Sequence, residues 1–138
     1  MGIHLENFKV ASSGIYVASR VKHYALWQHY KANGILINST WINEPGDGDI
    51  EDFGELWARI ETEIRKSTVL VFYVHGEEDL PLKGALVEVG MALAMNKPVF
   101  AVLEDITTIG RTMRPIGSWI LDKRVIRFNT LDAAFRSL

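Results

Sequence analysis

The sequence predicts a single α/β domain: a doubly wound, five-stranded parallel sheet with helices on both faces. Three observations predict this fold. Short apolar runs alternate with stretches of helical period, a pattern that implies right-handed βαβ crossovers. The run TVLVFYV (residues 68–74) is apolar almost throughout, as a central parallel strand should be. No repeat, low-complexity tract or linker divides the 138 residues, a length that suits one domain.

Five apolar runs are the predicted strands. They are GIYVAS at 14–19, ILIN at 35–38, TVLVFYV at 68–74, PVFAVL at 98–103 and RVIRF at 124–128. The expected order across the sheet is 2-1-3-4-5, as in flavodoxin-like folds. Such sheets bind ligands beyond the carboxyl ends of the strands, at the switch point between strands one and three. The segments expected there are 18–23, 39–49 and 75–88.

Helical periodicity fills the intervals between these strands. The predicted helices are 22–33, ended by Gly34; 52–66, with apolar residues at three- and four-residue steps; 84–95; and 130–135, capped by Thr130. Residues 1–13 are expected to form an irregular N-terminal arm of the same domain.

Composition and charge narrow the classes of partner. The net charge is −2 and neither sign forms a long run, which argues against a nucleic-acid polymer or an anionic membrane. No Cys is present, so disulfides, thiolate nucleophiles and cysteine-ligated metals are excluded. The acidic loop of Asp47, Asp49, Glu51 and Asp52 lacks a regular ligand spacing, so neither a metal nor a cofactor is expected. A start without signal-peptide character and the lack of a 20-residue apolar run predict a cytoplasmic protein.

Glu88 is the main candidate for chemistry. It stands in an otherwise apolar helix, between Val87 and Val89, so a solvent-facing position is disfavoured. A carboxylate against apolar walls must be paired, shift its pKa or serve a purpose that offsets its desolvation. Free amides at the helix start, from Gly84 and Ala85, favour the ionised form. An ionised, fixed carboxylate suits nucleophilic attack on an anomeric carbon.

The stretches IYVAS, STVLVFYV and GALVEVGMALAMNKPVFAV, with the SW of residues 118–119, resemble the nucleoside 2-deoxyribosyltransferase family and its nucleotide N-glycosidase relatives. The resemblance covers residues 15–128. It implies cleavage or transfer of the N-glycosidic bond of a (deoxy)nucleoside or nucleoside 5′-monophosphate, with a glycosyl-enzyme intermediate. Glu88 would be the nucleophile that attacks the sugar C1′, and Tyr16 would orient it; a plain core aromatic is the alternative for Tyr16.

The resemblance also implies substrate contacts. Ser19 and Arg20 match a turn that holds a 5′-phosphate, for which a hydroxyl and a guanidinium are suited; a solvated Arg20 is the alternative. Trp41 either stacks on the base, a contact worth about 1–3 kcal/mol, or plugs the core over the second helix. Neighbouring subunits of the family complete the site with the loop after the fourth strand, here residues 104–119, so at least a homodimer is expected.

The chain departs from the family pattern just before the nucleophile. Leu82 stands where the family has an aspartate that handles the base, and the nearest acid is Asp79. Lys83, beside the Gly84 amide, either contacts a phosphate or base or is solvated at the helix start. Ile60 stands where the family has a second aspartate. These departures leave open a rival function, a module that binds a nucleotide-derived ligand without turning it over.

Overall fold

The structure, a computed structural model, describes residues 14–44 and 52–138. Its sheet is parallel and has four strands in the order β1-β2-β3-β4, with helices packed against it. The strands are β1 (Ile15–Ala18), β2 (Val69–His75), β3 (Val99–Glu104) and β4 (Val125–Phe128). The predicted α/β class is therefore confirmed. The predicted N-terminal arm and the acidic residues Asp47, Asp49 and Glu51 lie outside the described residues.

The prediction of five strands is wrong, because residues 35–38 do not form a strand. Ile37 makes an isolated parallel bridge to Ile15, whose N–H donates to the Leu36 carbonyl at 2.9 Å. The next N–H on the same edge of β1, that of Val17, donates instead to the side-chain hydroxyl of Ser39 at 2.7 Å. The Ser39 hydroxyl thus accepts the Val17 N–H, which a backbone carbonyl would accept if the strand continued. The chain then turns away from the sheet into a 3-10 turn at Thr40–Asn43.

The four helices lie close to the predicted positions. They are α1 (Tyr24–Ala32), preceded by a 3-10 turn at Val21–His23, α2 (Phe53–Lys66), α3 (Gly84–Ala94) and α4 (Leu131–Arg136). Asp52 caps α2 by accepting from the Glu55 N–H at 3.1 Å, and Thr130 caps α4 by accepting from the Ala133 N–H at 3.1 Å. Gly34 follows α1 with a φ of +105°, the left-handed conformation expected where a helix ends.

The sheet has a hydrophobic core on each face. Trp27 of α1 and Phe135 of α4 pack on one face, and Ile60 of α2 and Val89 of α3 pack on the other. Successive residues of a strand point to opposite faces. Tyr16 therefore lies on the face covered by α2 and α3, the side on which Glu88 is buried.

Candidate active site

A cavity of about 500 Å³ opens beyond the carboxyl end of β1, a size typical of small-molecule sites. Its walls come from the turn after β1, the Thr40–Asn43 turn, helix α2 and the start of α3. Six predicted site residues line it together: Ser19, Arg20, Trp41, Lys83, Gly84 and Glu88. Two predicted residues, Tyr16 and Asp79, do not line it.

Glu88 reaches the cavity wall from the second turn of α3 with 8% of its surface exposed. Burial raises the pKa of this carboxyl, the nearby Tyr16 hydroxyl lowers it in part, and the charge of Glu63 raises it again, to about 8. At pH 7 the neutral form of Glu88 is therefore favoured in the free protein. The amides at the start of α3 are predicted to favour the ionised form of Glu88, but burial raises its pKa all the same.

Tyr16 lies behind Glu88, fully buried in the core under α2 and α3. Its hydroxyl has no partner at normal hydrogen-bond geometry in the described part of the chain. Burial raises the pKa of Tyr16, and the charges of Glu88 and Glu63 raise it further. The phenol therefore stays protonated and can donate to the Glu88 carboxylate. Tyr16 is thus a core aromatic and a neighbour of Glu88 at once.

Aromatic rings form a large part of the apolar wall. Trp41 donates its indole N–H to the Val17 carbonyl at 2.9 Å and packs against both cores while lining the cavity. Phe53 and Trp57 of α2 line it as well, although the sequence marks them only as members of a helical apolar stripe. No sequence signal distinguishes Phe53 from the core residues of α2, because periodicity does not reveal that its side chain is 56% exposed.

Polar side chains form the rim on the side of β1 and α3. The Ser19 hydroxyl accepts from the Trp27 indole at 2.9 Å and lies 3.0 Å from the Arg20 carbonyl, to which it donates. The Arg20 guanidinium donates a long hydrogen bond of 3.4 Å to the Pro81 carbonyl. Neither Arg20 nor Lys83 forms an ion pair with another described residue. Two exposed cations therefore border the cavity.

Glu44 also lines the cavity, but its carboxylate forms an ion pair with Arg59. Both carboxylate oxygens accept from the Arg59 guanidinium, at 2.8 and 2.7 Å. This bidentate hydrogen bond lowers the pKa of Glu44. Glu44 is therefore a charged but paired group of the rim.

Asp79 is buried outside the cavity, and its hydrogen bonds stabilise the turn after β1. One oxygen lies 2.8 Å from the Lys22 ammonium, and the other accepts from the His23 ring and the His75 N–H, each at 2.8 Å. Burial raises the pKa of Asp79, but these hydrogen bonds outweigh it and lower the pKa to about 2. Asp79 thus anchors Lys22, which lines the cavity.

Within residues 14–44 and 52–138, no cluster of three or more His, Asp or Glu has the arrangement of a metal site. In the same part of the chain, no helix has both the length and the apolar character that crossing a membrane requires.

The chain was compared with known proteins. A search of curated proteins found no match. The family model described as nucleoside 2-deoxyribosyltransferase matches residues 15–129, which include the whole cavity wall. That description names a nucleoside as substrate and the transfer of a glycosyl group. Since the match covers most of its length, the chain belongs to the nucleoside 2-deoxyribosyltransferase family.

Proposed function

We propose that this protein cleaves or transfers the N-glycosidic bond of a (deoxy)nucleoside or nucleoside 5′-monophosphate, with Glu88 as the nucleophile. The observation that carries the proposal is the placement of Glu88. Its carboxyl is buried in the wall of a 500 Å³ cavity, with a protonated phenol, Tyr16, behind it. Fixed position and low solvation are the properties that nucleophilic catalysis requires of a carboxylate.

The reaction takes two displacements. A Glu88 carboxylate oxygen attacks C1′, the C1′–N bond breaks, and its electron pair leaves with the base, which takes up a proton. The resulting glycosyl ester is then attacked at C1′ by water or by a second base, which releases the carboxylate. Tyr16 would donate a hydrogen bond to Glu88 whenever it is ionised, before attack and after release.

The attacking form of Glu88 is the ionised one, while the free protein at pH 7 holds mostly the neutral form. The rate is therefore expected to rise with pH through a midpoint near 8. A base stacked on Trp41 or Trp57 would exclude water from the wall opposite Glu88. Arg20 and Lys83, with the amides of Gly84 and Ala85, supply donors for a 5′-phosphate.

The test is to incubate the protein with deoxynucleosides and their 5′-monophosphates and to measure free base by chromatography. We expect base release that Glu88→Ala lowers by at least 10³-fold, because no other group in the described wall is a free carboxyl. Glu61→Gln, which removes a surface carboxylate of α2, is the control and should leave the rate unchanged. Base release unaffected by Glu88→Ala would disprove the proposal.

A second candidate is a module that binds a nucleotide-derived ligand without turnover. Two observations favour it: Glu88 is mostly neutral at pH 7, and the apolar Leu82 occupies the wall beside it where the family resemblance places an acid. Thermal-shift measurements with nucleotides separate the candidates. Equal ligand-induced shifts in wild type and Glu88→Gln, with no base released by either, would establish the binding module.

We also propose that two copies associate through the outer face of α3. Its inner face is buried in the core, yet its outer face is apolar as well: Leu86 is 38% and Val87 54% exposed, and Gly90 has open space around it. A helix that is apolar all round is normally covered on every side. Because the start of α3 lines the cavity, a second copy on this face would lie beside the site.

A further inference from the structure

Glu63 is a buried carboxylate that the proposed reaction does not use. It lies on α2 with 5% of its surface exposed and faces the sheet, not solvent. Both its oxygens are occupied: one accepts the Thr40 N–H at 3.1 Å, the other the Thr40 hydroxyl at 2.6 Å. A buried acid held by two donors of one residue fixes that residue firmly.

Thr40 begins the turn that shapes the cavity. The preceding Ser39 takes the Val17 N–H of β1, and the following Trp41 donates to the Val17 carbonyl. Glu63 therefore adds α2 to a turn that is already joined to β1. Trp41, which lines the cavity, is the aromatic ring that these bonds hold in place.

Glu63 forms no ion pair with another described residue. Its donors in Thr40 are neutral, and the charge of Arg59, one turn earlier, attracts Glu63 without a hydrogen bond, since Arg59 donates to Glu44. Its charge acts on both Tyr16 and Glu88. All three residues are buried on the face of the sheet that α2 and α3 cover. The other titratable or charged groups around Glu88 are Tyr16 behind it and, along the cavity, Arg20, Lys22, Glu44 and Lys83.

We propose that Glu63 is a positioning residue of the candidate site: its hydrogen bonds to Thr40 fix Trp41 against the cavity, and its negative charge acts on Glu88 from the same buried face of the sheet. One buried side chain then sets both the wall and the charge state of the nucleophile. The first half rests on the proposed function, since it is measured with substrate. The second half is a property of the free protein.

The charge effect is tested by NMR titration of the Glu88 carboxyl carbon in protein labelled with ¹³C-glutamate. Glu63→Gln keeps the size and an acceptor for Thr40 while removing the charge, so we expect the Glu88 midpoint to fall by about one pH unit. Glu61→Gln, two residues away on the exposed face of α2, removes the same charge and should leave the midpoint in place. A midpoint that Glu63→Gln moves by less than 0.3 units would overturn the charge effect, about 0.3 being a twofold change in ionisation.

The positioning effect is tested with Thr40→Val, which removes the 2.6 Å hydrogen bond and leaves the charge of Glu63. We expect KM for base release to rise about 5- to 10-fold with kcat within a factor of two, since binding and not the attacking group is disturbed. The pH profile of kcat/KM should keep its wild-type midpoint in Thr40→Val and move to lower pH in Glu63→Gln. An unchanged KM in Thr40→Val would overturn the link to Trp41.

The two proposals fail separately. If wild type releases no base but Glu63→Gln lowers the Glu88 midpoint, the enzymatic function is wrong and the charge effect stands. If base release depends on Glu88 but the midpoint stays fixed, the function stands and the role of Glu63 in setting the charge state is wrong. Should Glu63→Gln fail to fold, Glu63→Asp keeps the charge but shortens the side chain, so KM should rise while the Glu88 midpoint falls by less than in a variant without the charge. A fall of about one unit with the charge retained would contradict the charge effect.

Discussion

At the scale of the residue, Glu88 opposes the stability of the fold. Burial of this carboxyl costs the least free energy when it is neutral, but the carboxyl must lose a proton to act. The site therefore holds a group that the folded state prefers uncharged. Glu44 shows the opposite arrangement on the same cavity, since a bidentate Arg59 stabilises its charge. The raised pKa of Glu88 therefore reflects its burial first, and then the charge of Glu63, which the Tyr16 hydroxyl offsets in part.

This arrangement predicts a pH-dependent stability that Glu88→Gln should abolish. The folded pKa of about 8 lies above the ordinary 4.5, so the folded state binds the proton more tightly. The stability that this binding contributes is fully present below about pH 4.5 and is lost as pH rises through 8. In urea unfolding, Glu88→Gln should gain about 4 kcal/mol on wild type between pH 5 and pH 9. Parallel pH curves for wild type and variant would contradict this, and Glu61→Gln should follow wild type.

The sequence predicts the residues with a distinctive chemical context and misses those that repeat a common pattern. Glu88 is identified because a carboxylate interrupts an apolar helix, and Trp41 because it follows a strand at the ligand end. Glu63 and Trp57 fall on α2, where polar and apolar residues alternate as in any amphipathic helix. Which of them faces the cavity or the sheet depends on the rotation of α2 about its axis, and tertiary packing sets that rotation.

At the scale of the element, side-chain hydrogen bonds hold the 3-10 turn before α1 against the end of β2. Asp79, beyond the end of β2, binds Lys22, His23 and the His75 N–H at once. The missing fifth strand has a similar cause, since the Ser39 hydroxyl takes a donor of β1. Apolar patterning predicted the strands but not these side-chain bonds, which depend on residues far apart in sequence. Asp79 was therefore predicted near the site, but not as the anchor of its loop.

Asp79→Asn is expected to destabilise the protein by about 2–4 kcal/mol, because it leaves a buried network without its charge. The folded pKa of about 2 lies below the ordinary 3.8, so the stability contributed by the carboxylate is present above pH 3.8 and is lost as pH falls through 2. Urea unfolding at pH 7 and pH 3 should therefore show the deficit of the variant shrinking in acid. Asp122→Asn, which removes a carboxylate from a half-buried pair with Arg124, is the control and should cost much less. Equal losses in both variants would contradict the anchoring role.

At the scale of the whole molecule, the parallel sheet gathers the site from distant parts of the chain. The carboxyl end of β1, the turn at Thr40–Asn43, α2 and the start of α3 meet at one edge, as the predicted fold class requires. The same arrangement leaves α3 between the core and solvent with apolar residues on both sides. Helix α3 thus contributes both to the cavity wall and to the exposed apolar surface.

The exposed apolar residues of α3 predict that two copies of the chain associate through this helix. Sedimentation equilibrium of wild type should give twice the chain mass of 15.6 kDa, and Val87→Asp should weaken the association at least tenfold, because a charge would be buried against an apolar partner face. Ile126→Asp is the matched control: it places the same charge on β4 at a similar exposure, 49% against 54%, and should leave the mass unchanged. A monomeric wild type, or a dimer that Ile126→Asp weakens as much as Val87→Asp, would show that α3 is not the surface on which two copies meet.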